Sequence, residues 1–170
     1  MPQRSEEPSP ADIIQRARRF LRLTELACEL CESPGDYAEL GAHSVAIYGR
    51  SVTLVLQKLR SRVDGFDEWY APHRQLMASD DLMRQFVELR NSLLKEGGPD
   101  LMFAQHVRVS KNDAGEVVFD NHFVGFAFRG SPPTSHLGSV LPPTGIAQQG
   151  RLYVRYLAGL VDQAEQRWSA

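Results

Sequence analysis

The sequence predicts a mainly α protein: a helical bundle with a β-hairpin and a Pro-rich loop placed before its C-terminal helix. Three observations carry that expectation. Apolar residues recur at helical spacing from about residue 11 to residue 96. After Pro99 the spacing switches to strict alternation. A stretch containing Pro132-Pro133 and Pro142-Pro143 then separates the alternating region from a last helical pattern. With 170 residues and 42% apolar side chains, the chain is long enough to bury a core without disulfides.

Residues 1–8 hold Pro, Ser and Glu without apolar periodicity, and read as a flexible tail ahead of one domain over 9–170. Ser9-Pro10-Ala11-Asp12 is a helix start: the hydroxyl accepts from an orphan N–H, and Pro suits the first helical position. Ile13, Ala17, Phe20, Thr24, Ala27 and Cys31 form its stripe, and Ser33-Pro34-Gly35 ends it. A second helix is expected from about Asp36 to Arg62. On it Gly41, Val45 and Gly49 flatten one face, and each interior glycine costs roughly 1 kcal/mol relative to Ala, so close packing must compensate. Either a crossing within the chain or a homodimer seam would do so.

Gly65 breaks the pattern, and Phe66 to Met77 forms a short helix. Ser79-Asp80-Asp81 then caps a helix with Leu82, Phe86, Leu89 and Leu93 as its stripe, Lys95 in its last turn and Gly97-Gly98-Pro99 as its stop. Leu101 to Val109 alternates, Asn112-Asp113-Ala114-Gly115 turns, and Val117-Val118-Phe119 returns. Phe123 to Phe128 is available as a third strand. A last helix spans about Gln149 to Trp168, with Tyr153, Leu157, Leu160, Ala164 and Trp168 on one face.

Nineteen Lys and Arg against 21 Asp and Glu give a net charge of −2, which argues against tight nucleic-acid binding by bulk charge but leaves a local basic pole open. No apolar run is long enough for a membrane span, and the first residues lack a signal-peptide core, so a cytoplasmic protein without membrane contact is expected. The first helix is basic early (Arg16, Arg18, Arg19, Arg22) and acidic late (Glu25, Glu29, Glu32), against its own macrodipole. Folded back on the second helix, that start lies beside Lys58, Arg60 and Arg62, making a pole of seven cations. It is either a solvated end neutralised by Asp64, Asp67 and Glu68, or a docking site for phosphates or an acidic partner.

Near the end of the capped helix stands Arg90-Asn91-Ser92-Leu93-Leu94-Lys95. Following two long helices and a short one, the segment resembles the Arg-Asn-x-x-x-His signature of HEPN proteins, helical bundles that include many RNases. Arg90 and Asn91 match the motif, while Lys95 stands where the nucleases carry His. The resemblance covers Ala11 to Gly97. It implies a homodimer that assembles its site across a two-fold, with metal-free cleavage in which the Arg steadies a phosphate and the His moves a proton. Histidine suits that role because it titrates near neutral pH, whereas lysine ordinarily stays charged. Arg90, Asn91 and Lys95 are therefore candidates for a degenerate phosphate site, for a weakly active one, or for plain structural pairing.

Cys28 and Cys31 form a C-x-x-C within a helix, with no second ligand pair at finger spacing, so no metal is expected. His106 and His122 approach only if the hairpin register pairs them. No phosphate loop, nucleophile elbow or dinucleotide fingerprint is present, and no cofactor is expected. The function expected is an HEPN-like binding protein, non-catalytic or weakly active, for RNA or an acidic partner. A metal-independent endoribonuclease, and an interaction module without a nucleic-acid role, are the alternatives.

Overall fold

The computed structural model describes residues 7–33, 35–96, 101–128 and 145–169. Its elements are α1 (Pro10–Leu30), α2 (Asp36–Leu56) running into a 3₁₀ turn (Gln57–Ser61), α3 (Phe66–Ser79), α4 (Asp81–Glu96), β1 (Leu101–Lys111), β2 (Val117–Phe128) and α5 (Ile146–Trp168). The chain is mainly helical, with an antiparallel two-stranded hairpin ahead of the C-terminal helix. Among the described residues no helix is long and apolar enough to cross a membrane.

The start of α1 follows from its capping box. The Asp12 N–H donates to Ser9 Oγ (3.2 Å), and the Ser9 hydroxyl (2.7 Å) and N–H (3.0 Å) both donate to the Asp12 carboxylate, which together hold that carboxyl below its ordinary range. α2 folds back antiparallel on α1: Gly41 meets the Ala27 to Cys31 backbone, Tyr48 meets Phe20, and Arg62 reaches Glu7. A Cβ on Gly41 would lie 2.6 Å from the Cys31 nitrogen, so the close crossing requires glycine there. Gly49 is filled by the Tyr153 ring of α5, and Val45 by the α5 backbone at Gly150. The Gly41, Val45, Gly49 face is thus buried within the chain, which overturns a homodimer seam along it.

The second helix does not stay α-helical to Arg62. Its last turn tightens to 3₁₀ after Leu56, and Gly65, in the left-handed region at φ 71°, turns the chain into α3. Phe66 of α3 packs with Trp69, Tyr70 and Trp168, closing the bundle over the end of α5. In α4 the buried Asp80 caps the helix by accepting from the Met83 N–H (3.0 Å), and Leu82, Phe86 and Leu89 enter the core. One hydrophobic cluster runs through all five helices.

In the hairpin turn, Asn112 Oδ1 accepts from the Ala114 and Glu116 N–H groups, and the Asn112 carbonyl accepts from Gly115. β2 continues unbroken to Phe128, so Phe123 to Phe128 is the far half of one strand and not a third strand. A bulge between His106 and Val107 accounts for the irregularity: His106 pairs with Phe123 and Val107 with Asn121, leaving His122 as the extra residue. His106 and His122 are therefore not cross-strand partners. The loop holding Pro132-Pro133 and Pro142-Pro143, the Gly97-Gly98-Pro99 stop and most of the N-terminal tail lie outside the described residues. Glu7, the part of that tail that is described, forms its ion pair with Arg62.

Candidate anion-binding site

Three helices turn a polar face toward one cleft of about 500 Å³. α2 contributes Arg50 and Thr53, three apart on one side of the helix, and the 3₁₀ turn that continues it adds Gln57 and Arg60. α3 contributes Tyr70, Arg74, Met77 and Ala78. α4 contributes Met83, Arg84, Val87 and Glu88. Tyr153 of α5 forms the inner wall, buried and stacked on Phe86 with ring centroids 4.6 Å apart.

A hydrogen-bonded chain orders the α2 side. Arg50 Nη1 donates to Thr53 Oγ1 (2.9 Å), the Thr53 hydroxyl donates to the Arg50 carbonyl (2.9 Å), and Gln57 Nε2 donates to the Thr53 carbonyl (3.2 Å) and the Tyr70 hydroxyl (3.4 Å). Burial pushes the phenols of Tyr70 and Tyr153 up, with Arg50 partly opposing it. Both therefore remain protonated donors across the physiological range.

Four guanidinium groups line the cleft, with Glu88 as the carboxylate among its lining residues. Arg60 is neutralised by Asp67 (2.7 Å) and Arg84 by Asp81. Arg50 and Arg74 have no carboxylate partner among the described residues. A planar guanidinium presents a donor fork matched to phosphate or carboxylate, and it gains most from an anion where water is partly excluded. The cleft adjoins a smaller hollow that shares Arg60, Tyr70 and Arg74 and is also lined by Asp67, the partner of Arg60.

The pole read from the sequence gathers at one end of the α1–α2 hairpin, but four of its seven cations already have acidic partners. Arg18 binds Asp162 (2.8 Å) and Glu165 of α5, Arg22 binds Glu25 (3.1 Å), Arg60 binds Asp67, and Arg62 binds Glu7. Of the acids expected to neutralise it, Asp67 does so; the other acids are Glu25 on α1 itself, Glu7 of the tail, and Asp162 and Glu165 of α5, and the spacing did not identify those of the tail and α5. Arg16, Arg19 and Lys58 are exposed. Arg60 belongs to both the pole and the cleft.

Arg90 and Asn91 stand one turn beyond Val87 and Glu88 of the cleft. They are half-buried, and Arg90 Nη1 donates to Asn91 Oδ1 at 2.9 Å. Lys95 is exposed near the end of the same continuous helix, about 140° around the axis from Arg90. The structure therefore brings Arg90 and Asn91 together and leaves Lys95 apart. Arg50, Arg74 and Arg84 were not identified from the sequence. The available signal was Arg50, Thr53 and Gln57, polar at helical spacing among the apolar Val52, Leu54, Val55 and Leu56.

Cys28 and Cys31 are buried and free, and burial pushes both thiols up to about 12. Among the described residues no group of three His, Cys, Asp or Glu side chains is placed to hold a metal ion.

A family model described as bacteriophage lambda protein ea47 matches residues 39–112. That stretch includes every cleft-lining residue except Tyr153. No curated protein and no solved structure matches the chain.

Proposed function

We propose that this chain is an HEPN-like binding protein, non-catalytic or weakly active, that takes RNA by seating a backbone phosphate in the arginine cleft. The observation that carries this reading is the pair Arg50 and Arg74, two guanidiniums on one cleft without a carboxylate partner among the described residues. Protonated Tyr70 and Tyr153 add hydroxyl donors beside them. Met77, Met83 and Val87 supply apolar wall suited to a sugar or base face. Asn91, tied to Arg90 and one turn along α4, extends the polar surface from the cleft toward the motif. Binding rather than cleavage fits the Lys at position 95, exposed at the helix end where a nuclease of this kind carries the proton-moving His.

The test is fluorescence anisotropy with a short labelled single-stranded RNA. Three phosphate contacts imply a fall in affinity of about 20-fold between 50 and 200 mM salt. Arg74→Glu should weaken binding at least tenfold. Salt-independent binding, or an unchanged affinity in Arg74→Glu, overturns the reading and favours an acidic protein partner or an interaction module. Metal-free cleavage that disappears in Arg90→Ala with folding intact would establish the endoribonuclease alternative in its place.

A further inference from the structure

Glu88 does not belong to a site for phosphate alone. The acids beside two of the cleft's arginines are paired with them, Asp67 with Arg60 and Asp81 with Arg84. No cation of the described residues lies within ion-pairing distance of Glu88. An unneutralised carboxylate repels an anion and accepts hydrogen bonds only, so its counterpart on a ligand is a set of N–H donors. One ligand must then carry an anionic part, a donor edge and flat apolar faces for Met77, Met83 and Val87.

Packing sorts these groups to opposite ends of the cleft. Tyr153 fills the space over Gly49, and Phe86 stacks on Tyr153. Glu88, two residues past Phe86 on α4, therefore stands at the level of Arg50, the neighbour of Gly49 on α2. The other end is marked by Gln57, which donates to the Tyr70 hydroxyl, and by Arg74, which continues into the adjoining hollow. Arg50 to Gln57 is about 10 Å of helix. In a cleft of about 500 Å³ that is room for one nucleotide, with its phosphate at Arg74 and its base between Arg50 and Glu88.

The four bases differ in what they offer a carboxylate beside a guanidinium. Guanine carries two N–H donors side by side, at N1 and N2, and next to them the acceptors O6 and N7. A carboxylate accepts from the first pair, and an arginine fork donates to the second. The Nη1 bond to Thr53 Oγ1 fixes the Arg50 guanidinium and leaves its other N–H groups for a ligand. Adenine and cytosine set an acceptor beside their amino group, and uracil flanks its one N–H with two carbonyls. Each of them turns a lone pair on a Glu88 oxygen. Resting on the reading of the cleft as an RNA site, we infer that it takes a guanine base, Glu88 accepting from N1–H and N2–H and Arg50 donating to O6 and N7.

Anisotropy with labelled uridine hexamers carrying one central guanosine, adenosine or inosine tests it. The guanosine strand should bind at least about tenfold tighter than the adenosine strand, with inosine, which lacks the N2 amino group, between them. Glu88→Gln should bring the guanosine-to-adenosine ratio below about twofold with an unchanged far-ultraviolet spectrum. The inosine comparison needs no protein variant. In competition, GMP should displace the guanosine strand more readily than AMP, yet bind at least about tenfold more weakly than the strand, since it lacks the flanking phosphates. Equal affinities for the three strands, or a guanosine preference that survives Glu88→Gln, would overturn the inference while the RNA reading stands. GMP binding as tightly as the strand would overturn it in favour of a free nucleotide. Failure of every strand to bind would remove the RNA reading and this inference together.

Discussion

The start of α1 carries Arg16, Arg18, Arg19 and Arg22 within two turns, and the cleft collects Arg50, Arg60, Arg74 and Arg84 from three separate parts of the fold. By local charge density the first region is the stronger anion site. Once folded, α5 presents Asp162 and Glu165 to Arg18, and the tail presents Glu7 to Arg62. In the cleft, Arg50 is held by an uncharged hydroxyl and Arg74 has no acidic partner among the described residues. Two of the four arginines are paired in each region, so what sets the cleft apart is its shape: the half-buried Arg50 lines a concave wall together with Arg74, whereas Arg16 and Arg19 stand exposed on the outside of a helix.

The largest effect expected from disturbing this contrast comes at the glycines. A Cβ on Gly49 would lie 2.3 Å from the Tyr153 ring, so Gly49→Val must displace the inner wall of the cleft. It should destabilise the protein by about 2–3 kcal/mol in urea unfolding and also weaken anion binding. Gly41→Val, which strikes the α1 backbone away from the cleft, should destabilise similarly and leave binding by the folded fraction intact. Equal binding losses in the two variants would show that the cleft has no special role.

Phosphate should come next. At ten times its dissociation constant it stabilises the native state by about 1.4 kcal/mol, a rise in Tm of about 3–5 °C. The rise should vanish in Arg50→Gln with Arg74→Gln and persist in Arg16→Gln with Arg19→Gln. A shift that survives the cleft substitutions would move the anion site elsewhere.

Arg18→Ala should lower Tm by no more than about 2 °C and leave binding unchanged, since its ion pairs are largely solvated. Its signature is acidic. Arg18 holds the Glu165 carboxyl below its ordinary 4.5, so this contribution is present above pH 4.5 and lost as pH falls through the lower folded value. In the alanine variant that part of the acid dependence should disappear.

The smallest effect concerns His73, whose pKa burial lowers from 6.5. The neutral ring is the form the fold favours, so stability is present above pH 6.5 and declines as pH falls from there toward the folded value. Burial lowers His43 in the same direction. His73→Gln should flatten part of this slope in pH-dependent unfolding. RNA binding itself should be level from pH 6.5 to 8, because guanidiniums do not titrate there.

The helices were legible because their signals are local. Ser9 and Asp12 cap α1 as their spacing implies, and Leu82, Phe86 and Leu89 enter the core as a helical stripe must. The hairpin and its turn followed from alternation and from Asn112 to Gly115. The bulge at His122 was not legible, because alternation alone does not fix a cross-strand register. Nor was the cleft. Arg50, Arg74 and Arg84 sit on different helices, and only the packing of α2, α3 and α4 makes them neighbours. The pole was visible as a run of charge, but two of its cations, Arg18 and Arg62, are neutralised by acids distant in sequence, with Glu165 lying 147 residues from Arg18.

The most direct test sets the two basic regions against each other. Arg50→Glu with Arg74→Glu, and Arg16→Glu with Arg19→Glu, change the net charge equally, so long-range electrostatics shift alike in both. RNA affinity is measured for each at the same salt, after circular dichroism has shown both to be folded. We expect at least a tenfold loss in the cleft pair and less than about threefold in the α1 pair. Equal losses, or a larger loss in the α1 pair, would contradict the assignment of phosphate binding to the cleft.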